Sequence, residues 1–175
     1  PFTETFDDAT HYALGGDLPD GWAAYSGNGD AGFKTETYED TYMPAYSGDT
    51  FVSSFGMLSR RHDMLFTPML EMEAGKKYTV SFYIYATNFN YAPSYSVTAG
   101  TAQNVEAQTI TLPETAEVTQ GQYKKVETTF TPETSGEYCI ALNVTANLSQ
   151  TGFVNVDDFS IEAEETEEPP VEEWA

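Results

Sequence analysis

The 175-residue chain carries 28 acidic and 7 basic residues, a formal charge of -21. That charge repels phosphate backbones and anionic lipid, which argues against nucleic acid and membrane insertion. A 40% hydrophobic content with 11 Phe and 12 Tyr supplies apolar area for one folded domain and excludes disorder of the whole chain.

Period-two alternation runs along the chain and helical periodicity is nearly absent. Weaker strands are predicted at residues 3–6, 22–26, 51–55 and 64–67. Residues 77–87 give the strongest, because Tyr78, Val80, Phe82, Ile84 and Ala86 alternate with Thr79, Ser81, Tyr83 and Tyr85. Strands at 95–99 and 109–112 follow, then 123–131, where Val126, Thr128 and Phe130 share a phase. In residues 137–144, Tyr138, Ile140, Leu142 and Val144 alternate with Cys139, Ala141 and Asn143. Turn signals such as Leu18-Pro19-Asp20-Gly21, Asn28-Gly29-Asp30, Ala74-Gly75 and Thr131-Pro132-Glu133 separate them. About ten short strands so punctuated predict an all-β sandwich of two antiparallel sheets. Val80, Phe82, Ile84, Val126, Phe130, Ile140 and Leu142 are its predicted core.

The last strand changes phase. Val154 and Val156 share one face while Phe159 and Ile161 share the other, so a β-bulge or sharp twist is predicted at Asp157-Asp158. A second acidic pair, Asp7-Asp8, stands near the start. If the terminal strands are neighbours, these carboxylates converge on one spot, and a structural Ca²⁺ is the economical way to hold them there. Neighbouring side chains on a strand point to opposite faces, so one member of each pair reaches the ion. Candidate ligands are Asp158 first, then Asp157, Asp7, Asp8 and Glu4, with backbone carbonyls completing the coordination. Solvated or turn-capping carboxylates would read the same way.

After Ile161 comes a Pro-containing stretch with seven glutamates and no basic residue. It has too little apolar surface to fold, which divides the chain into a domain over residues 1–161 and an acidic linker over 162–175. The chain opens at Pro1 without Met or an export signal, as a mature fragment would. The single cysteine, Cys139, lacks an intramolecular disulfide partner and reads as a packed, inert thiol.

A second constellation is aromatic. Phe89, Tyr91 and Tyr95 fall in a probable loop rich in Asn, Pro and Ser, and Tyr42 and Tyr46 flank Met43-Pro44. Flat rings beside amides and hydroxyls suit a sugar, whose apolar patches lie on rings while its hydroxyls meet polar groups. The alternative is that these rings cover loops and sandwich edges. No catalytic signature competes: Gly-x-Ser-x-Gly and Glu-x-Asp-x-x-Glu are both absent, and His62 in Arg60-Arg61-His62-Asp63 reads as a charged surface turn.

The order of Phe2-x-x-x-Phe6-Asp7, Leu18-Pro19-Asp20-Gly21-Trp22, Leu65-Phe66-Thr67-Pro68-Met69-Leu70, Gly75-Lys76-Lys77-Tyr78-Thr79-Val80-Ser81-Phe82 and Val156-Asp157-Asp158-Phe159-Ser160-Ile161 resembles the cleaved-adhesin or choice-of-anchor jelly-roll modules of Bacteroidetes surface proteins. It is more distantly similar to calcium-containing carbohydrate-binding modules and MAM-type domains. The resemblance implies a jelly-roll β-sandwich with structural Ca²⁺, secreted and attached to the outer-membrane surface. It implies adhesion or glycan binding, with a glycan or a host or matrix protein as ligand, beside other domains of the same polypeptide. A structural spacer and a glycoside hydrolase-like sandwich enzyme stand as alternatives.

Overall fold

The computed structural model describes residues 2–7, 18–27, 32–56, 61–87, 94–113, 121–146 and 152–164. Among these the elements are β1 (Phe2–Glu4), β2 (Ala23–Ser26), β3 (Lys34–Thr37), the one-turn helix α1 (Tyr38–Thr41), β4 (Thr50–Gly56), β5 (Arg61–Phe66), β6 (Leu70–Met72), β7 (Tyr78–Ala86), β8 (Ser94–Gly100), β9 (Ile110–Thr111), β10 (Lys124–Phe130), β11 (Gly136–Ala146) and β12 (Gly152–Ala163). The first sheet runs β10-β7-β12-β4-β3, and the second runs β2-β5-β11-β8-β9. β4 covers one edge of β12 as far as Val156, and β1 takes over that edge from Phe159 to Ile161. β6 extends the second sheet beside the start of β11 in the same way. The expected all-β sandwich of two antiparallel sheets is therefore the observed fold. No helix of the described residues is long and apolar enough to cross a membrane.

Strict alternation in β7 places Tyr78, Val80, Phe82, Ile84 and Ala86 inward and leaves Thr79, Ser81, Tyr83 and Tyr85 on the outer face. Every predicted core residue is buried. Phe82 stacks on Phe159 at 5.2 Å, Trp22 meets Phe159 edge-on at 5.4 Å, and Phe6 closes on Trp22 at 5.2 Å. The N-terminal segment is thus held by aromatic packing as well as by its three register pairs with β12.

The predicted bulge is present. Asp157 pairs with Tyr83 and Ser160 with Ser81, so β12 gains one residue over β7, and Asp158 takes up the extra length at φ 49°. Val154 and Val156 before the bulge, and Phe159 and Ile161 after it, all reach the same core. Without the bulge, one of these pairs would face the wrong side.

Several local readings change. β3 and β6 escape prediction because Lys34-Thr35-Glu36-Thr37 has no apolar alternation and Leu70–Met72 has only three residues. Arg61, His62 and Asp63 belong to β5 and not to a surface turn, and Asp63 is buried, accepting a hydrogen bond from Ser54 Oγ. Tyr95 lies in β8, opposite Val144 and in phase with inward Val97 and Ala99, so it packs on the core and does not ride a loop. β11 is buried on both faces, because Cys139 and Ala141 join Met64 and Phe66 beneath Val105. That turn comes so close that a Cβ on Gly100 would collide with the Ala107 carbonyl. β12 continues two residues beyond Ile161 to Ala163, and Glu164 N–H then donates to Lys77 O at 2.8 Å.

Candidate functional site

Alternation along β12 places Asp157, the last residue before the bulge, on the outer face of the first sheet, in register with Tyr83, where Tyr46 and Ser47 lie over it. Asp157 is fully buried, with 0% exposure. Its Oδ2 accepts the amides of Tyr46 at 2.9 Å and Ser47 at 3.0 Å, and its Oδ1 accepts that of Asp158 at 2.9 Å. Asp158 Oδ1 accepts the Ser47 hydroxyl at 2.7 Å. Asp7 Oδ1 accepts Thr50 N–H at 3.3 Å, and Gly48 passes so near that a Cβ there would overlap the Asp7 carboxylate. Three carboxylates from both ends of the chain thus grip one loop.

Burial pushes the Asp157 carboxyl up to about 7; the amides of Ser47, Asp158 and Tyr46 pull it down, and the Asp158 charge pushes it up again. Among the described residues, Lys34 pairs with Glu36, Lys77 with Glu164 and Lys125 with Glu127, and none of these pairs reaches Asp157. Asp7, Asp157 and Asp158 offer oxygens to one loop, and a hard cation would need these with backbone carbonyls beside them. Among the described residues, however, no three His, Cys, Asp or Glu side chains form a ready metal cluster. Glu4 turns to its own backbone, accepting Phe6 N–H at 2.7 Å, and Asp8 lies outside the described residues.

Above the carboxylates sits a tyrosine surface. Tyr46 stacks on Tyr83 with centroids 3.5 Å apart and meets Tyr123 edge-on at 5.9 Å, while Tyr85 lies 5.1 Å from Tyr123. The Tyr123 hydroxyl donates to Pro44 O at 2.6 Å, tying the loop to the approach to β10. Burial raises the Tyr123 phenol, with Asp157, Tyr85 and Asp158 adding to the effect; the hydrogen bond with Tyr83, then burial, raises that of Tyr46. Tyr42 ends α1 at φ 58°, a conformation usually left to glycine, and its ring is 80% exposed beside Tyr38. Farther along the same outer face, Phe55 packs on Phe153 at 4.6 Å.

Of the residues expected to bind ligand, Tyr46 is on this surface, Tyr42 is exposed beside Tyr38 and contacts none of these rings, Tyr95 is on the core side of the second sheet, and Phe89 and Tyr91 lie outside the described residues. Sequence reasoning missed Tyr83, Tyr85 and Tyr123. The signal was available, since Tyr83 and Tyr85 occupy the outward phase of the clearest strand and two large rings there are unusual for a solvated face. On the outer face of the second sheet, beside the cluster of Met64, Phe66, Cys139 and Ala141, Tyr25 is edge-on to His62 at 5.6 Å and Asn143 Nδ2 donates to Thr98 Oγ1 at 3.0 Å. Burial raises the Cys139 thiol, and Gln108 Nε2 lies 3.2 Å from its sulfur.

The model of a family described as a carbohydrate binding domain, CBM_4_9, matches residues 2–146. No curated protein matches the chain. Among solved structures, the K1 cleaved adhesin domain of Lys-gingipain from Porphyromonas gingivalis is similar at TM-score 0.71 and 18% identity, covering 93% of this chain and 98% of that one. The CBM22-1 xylan-binding domain from Paenibacillus barcinonensis Xyn10C is similar at TM-score 0.61 and 15% identity, covering 93% and 92%. TmCBM61, in complex with β-1,4-galactotriose, is similar at TM-score 0.57 and 17% identity, covering 83% and 90%. These structures share the sandwich, as the resemblance to cleaved-adhesin modules implied, and the family match over most of the described fold identifies the chain as a member of the carbohydrate binding domain family CBM_4_9.

Proposed function

We propose that this domain is a non-catalytic module that holds glycan chains on the tyrosine surface of its first sheet, secreted and displayed at a cell surface beside other domains of the same polypeptide. The observation that carries the reading is the packing of Tyr46, Tyr83, Tyr85 and Tyr123 on one outer face, in a chain whose family binds carbohydrate. The similar Paenibacillus domain is xylan-binding and the similar TmCBM61 holds a β-1,4-galactotriose, which supports a glycan ligand. The likeness to an adhesin domain supports surface display. Rings that end in hydroxyls favour a sugar over the broad apolar patch that a host or matrix protein would want. Catalysis finds no support here, because Asp157 is fully buried beneath the backbone of Tyr46 and Ser47 and is not open to a substrate.

Ca²⁺ is the structural ion of this reading, held by Asp7, Asp157 and Asp158 against the loop of Ser47 and Gly48. It would neutralise carboxylates that burial otherwise disfavours, and so fix the loop that carries Tyr46. Retention on a glycan array, compared between the unaltered protein, Tyr46→Ala and Tyr42→Ala, tests the binding surface. The unaltered protein is retained and both variants are weakened with melting temperatures nearly unchanged. Equal retention of all three, or of none, rejects the tyrosine surface and leaves the spacer reading.

A further inference from the structure

We propose that the free edge of β10 pairs with the same edge of a second copy of this chain, antiparallel and centred on Val126, so that the first sheets of two molecules become one. This goes beyond the glycan reading and does not depend on it.

The free edge follows from register. Thr87 N–H donates to Phe153 O at 3.1 Å and Glu164 N–H to Lys77 O at 2.8 Å, so the odd-numbered residues of β7 turn their backbone groups to β12 and the even-numbered ones turn theirs to β10. Tyr78, Val80, Phe82 and Ile84 stand opposite Phe130, Thr128, Val126 and Lys124. The amides and carbonyls of Lys125, Glu127 and Thr129 therefore point away from the sheet, and among the described residues no strand pairs with them. Of the strands that end the two sheets, β10 is the longest, with seven residues against four in β2, four in β3 and two in β9. An uncovered edge of that length is a template for another strand.

Charge selects the occupant. Lys125 and Glu127 share the outer face two residues apart, their side chains 51% and 58% exposed and 3.5 Å from each other. A second β10 can use the outward groups only by pairing odd residues with odd ones. Centred on Lys125 or on Glu127, that pairing sets like charges opposite each other, and centres farther out shorten the ladder. Centred on Val126, it sets Lys125 against the second copy's Glu127 and Glu127 against the second copy's Lys125. One strand sequence thus supplies two opposite-charge pairs, as a two-fold interface requires. The chain's charge of -21 opposes any approach of two copies, but at physiological ionic strength it is screened over about 8 Å, while pairs in contact keep most of their attraction. Lys125 stands opposite Tyr83, so the joined sheet would carry both tyrosine surfaces on one face.

Sedimentation equilibrium from micromolar to near-millimolar protein tests the pairing on the unaltered chain, Lys125→Glu, Glu127→Lys, the double exchange of both, and Glu127→Pro. Proline removes an outward N–H that β7 does not use, and melting temperatures report folding for every variant. The unaltered chain and the double exchange should form dimers over the same concentration range. Each single reversal turns both two-fold contacts from opposite to like charge and should weaken the dimer about ten- to thirtyfold, and Glu127→Pro should abolish it. If the proline variant does not fold, the charge series decides alone. A monomer at every concentration overturns the proposal. So does a dimer that the single reversals leave intact, which would lie on another surface, and so does a double exchange as weak as the single ones, which would refute the pairing centred on Val126.

Discussion

Replacing Gly48 by Ala should uncouple the calcium response from the fold. Gly48 sits at φ +59° with its open side against the Asp7 carboxylate, whose oxygen accepts Thr50 N–H. A methyl group there meets two penalties of different kinds. The left-handed backbone costs about 1–2 kcal/mol for a residue with a Cβ. The overlap with Asp7 is relieved by swinging that short side chain away, which removes a carboxylate from the cluster without touching the core. Calcium at a hundredfold excess over its dissociation constant stabilises the native protein by about 2.7 kcal/mol. For a domain of this size that is about 5–10 °C of melting temperature, and the backbone cost alone is about 2–8 °C. Scanning calorimetry in EDTA and in calcium separates the two. The unaltered protein should gain the full increment, and Gly48→Ala should melt lower in EDTA and gain little on adding calcium. An equal increment in both proteins refutes the placement of Asp7 at the ion, and no increment in the unaltered protein refutes the ion itself.

Three further outcomes follow from the same geometry. With calcium removed, the Asp157 carboxyl is held at about 7 against an ordinary 3.8, so its protonated form is the one the fold prefers. Stability is then full below about 4 and declines as pH rises through 7, by up to about 4 kcal/mol from this group, and Asp157→Asn should flatten that decline in chemical denaturation while abolishing the calcium increment. Phe159→Ala removes a fully buried ring that touches Phe82 and Trp22 and should cost about 3–5 kcal/mol by urea titration; a loss below 1 would contradict the packing described. Cys139, buried under the turn of Val105 with its thiol raised by burial, should resist a thiol reagent at pH 8 in the folded protein and react only on unfolding.

The sandwich was legible because alternation is a direct image of a two-faced strand, and β7 and β10 keep one face in the core throughout. The bulge was legible for the same reason, since a change of apolar phase at Asp157-Asp158 has few other physical causes. What escaped was whatever long-range packing decides. β3 is buried by its neighbours and not by its own residues, and Asp63 is buried because Ser54 of β4, in the opposite sheet, donates a hydrogen bond to it. Tyr95 was misplaced because Asn and Pro before it suggest a loop, whereas its pairing with Val144 fixes it as strand. The tyrosine surface was half visible: Tyr46 stood out beside Met43-Pro44, but Tyr123 joins it through long-range packing, edge-on to Tyr46 and hydrogen-bonded to Pro44 across 79 residues.

The shared edge of β12 carries a mechanical consequence. Phe2 lies opposite Ile161 and Glu4 opposite Phe159, so the outer ends of β1 and β12 emerge side by side. Tension applied through the two ends of the domain would enter at that point and open the pair one bond at a time, as a zipper opens, without loading all its bonds together in shear. A strand of only three residues yields at low force in that geometry. Peeling β1 away draws Phe6 out of its contact with Trp22 and carries Asp7 off the loop of Gly48 and Thr50, while the rest of the sandwich still holds. Under load, the first part of this molecule to come apart is therefore the carboxylate cluster, and the grip of Asp7 on the loop would be lost before the fold.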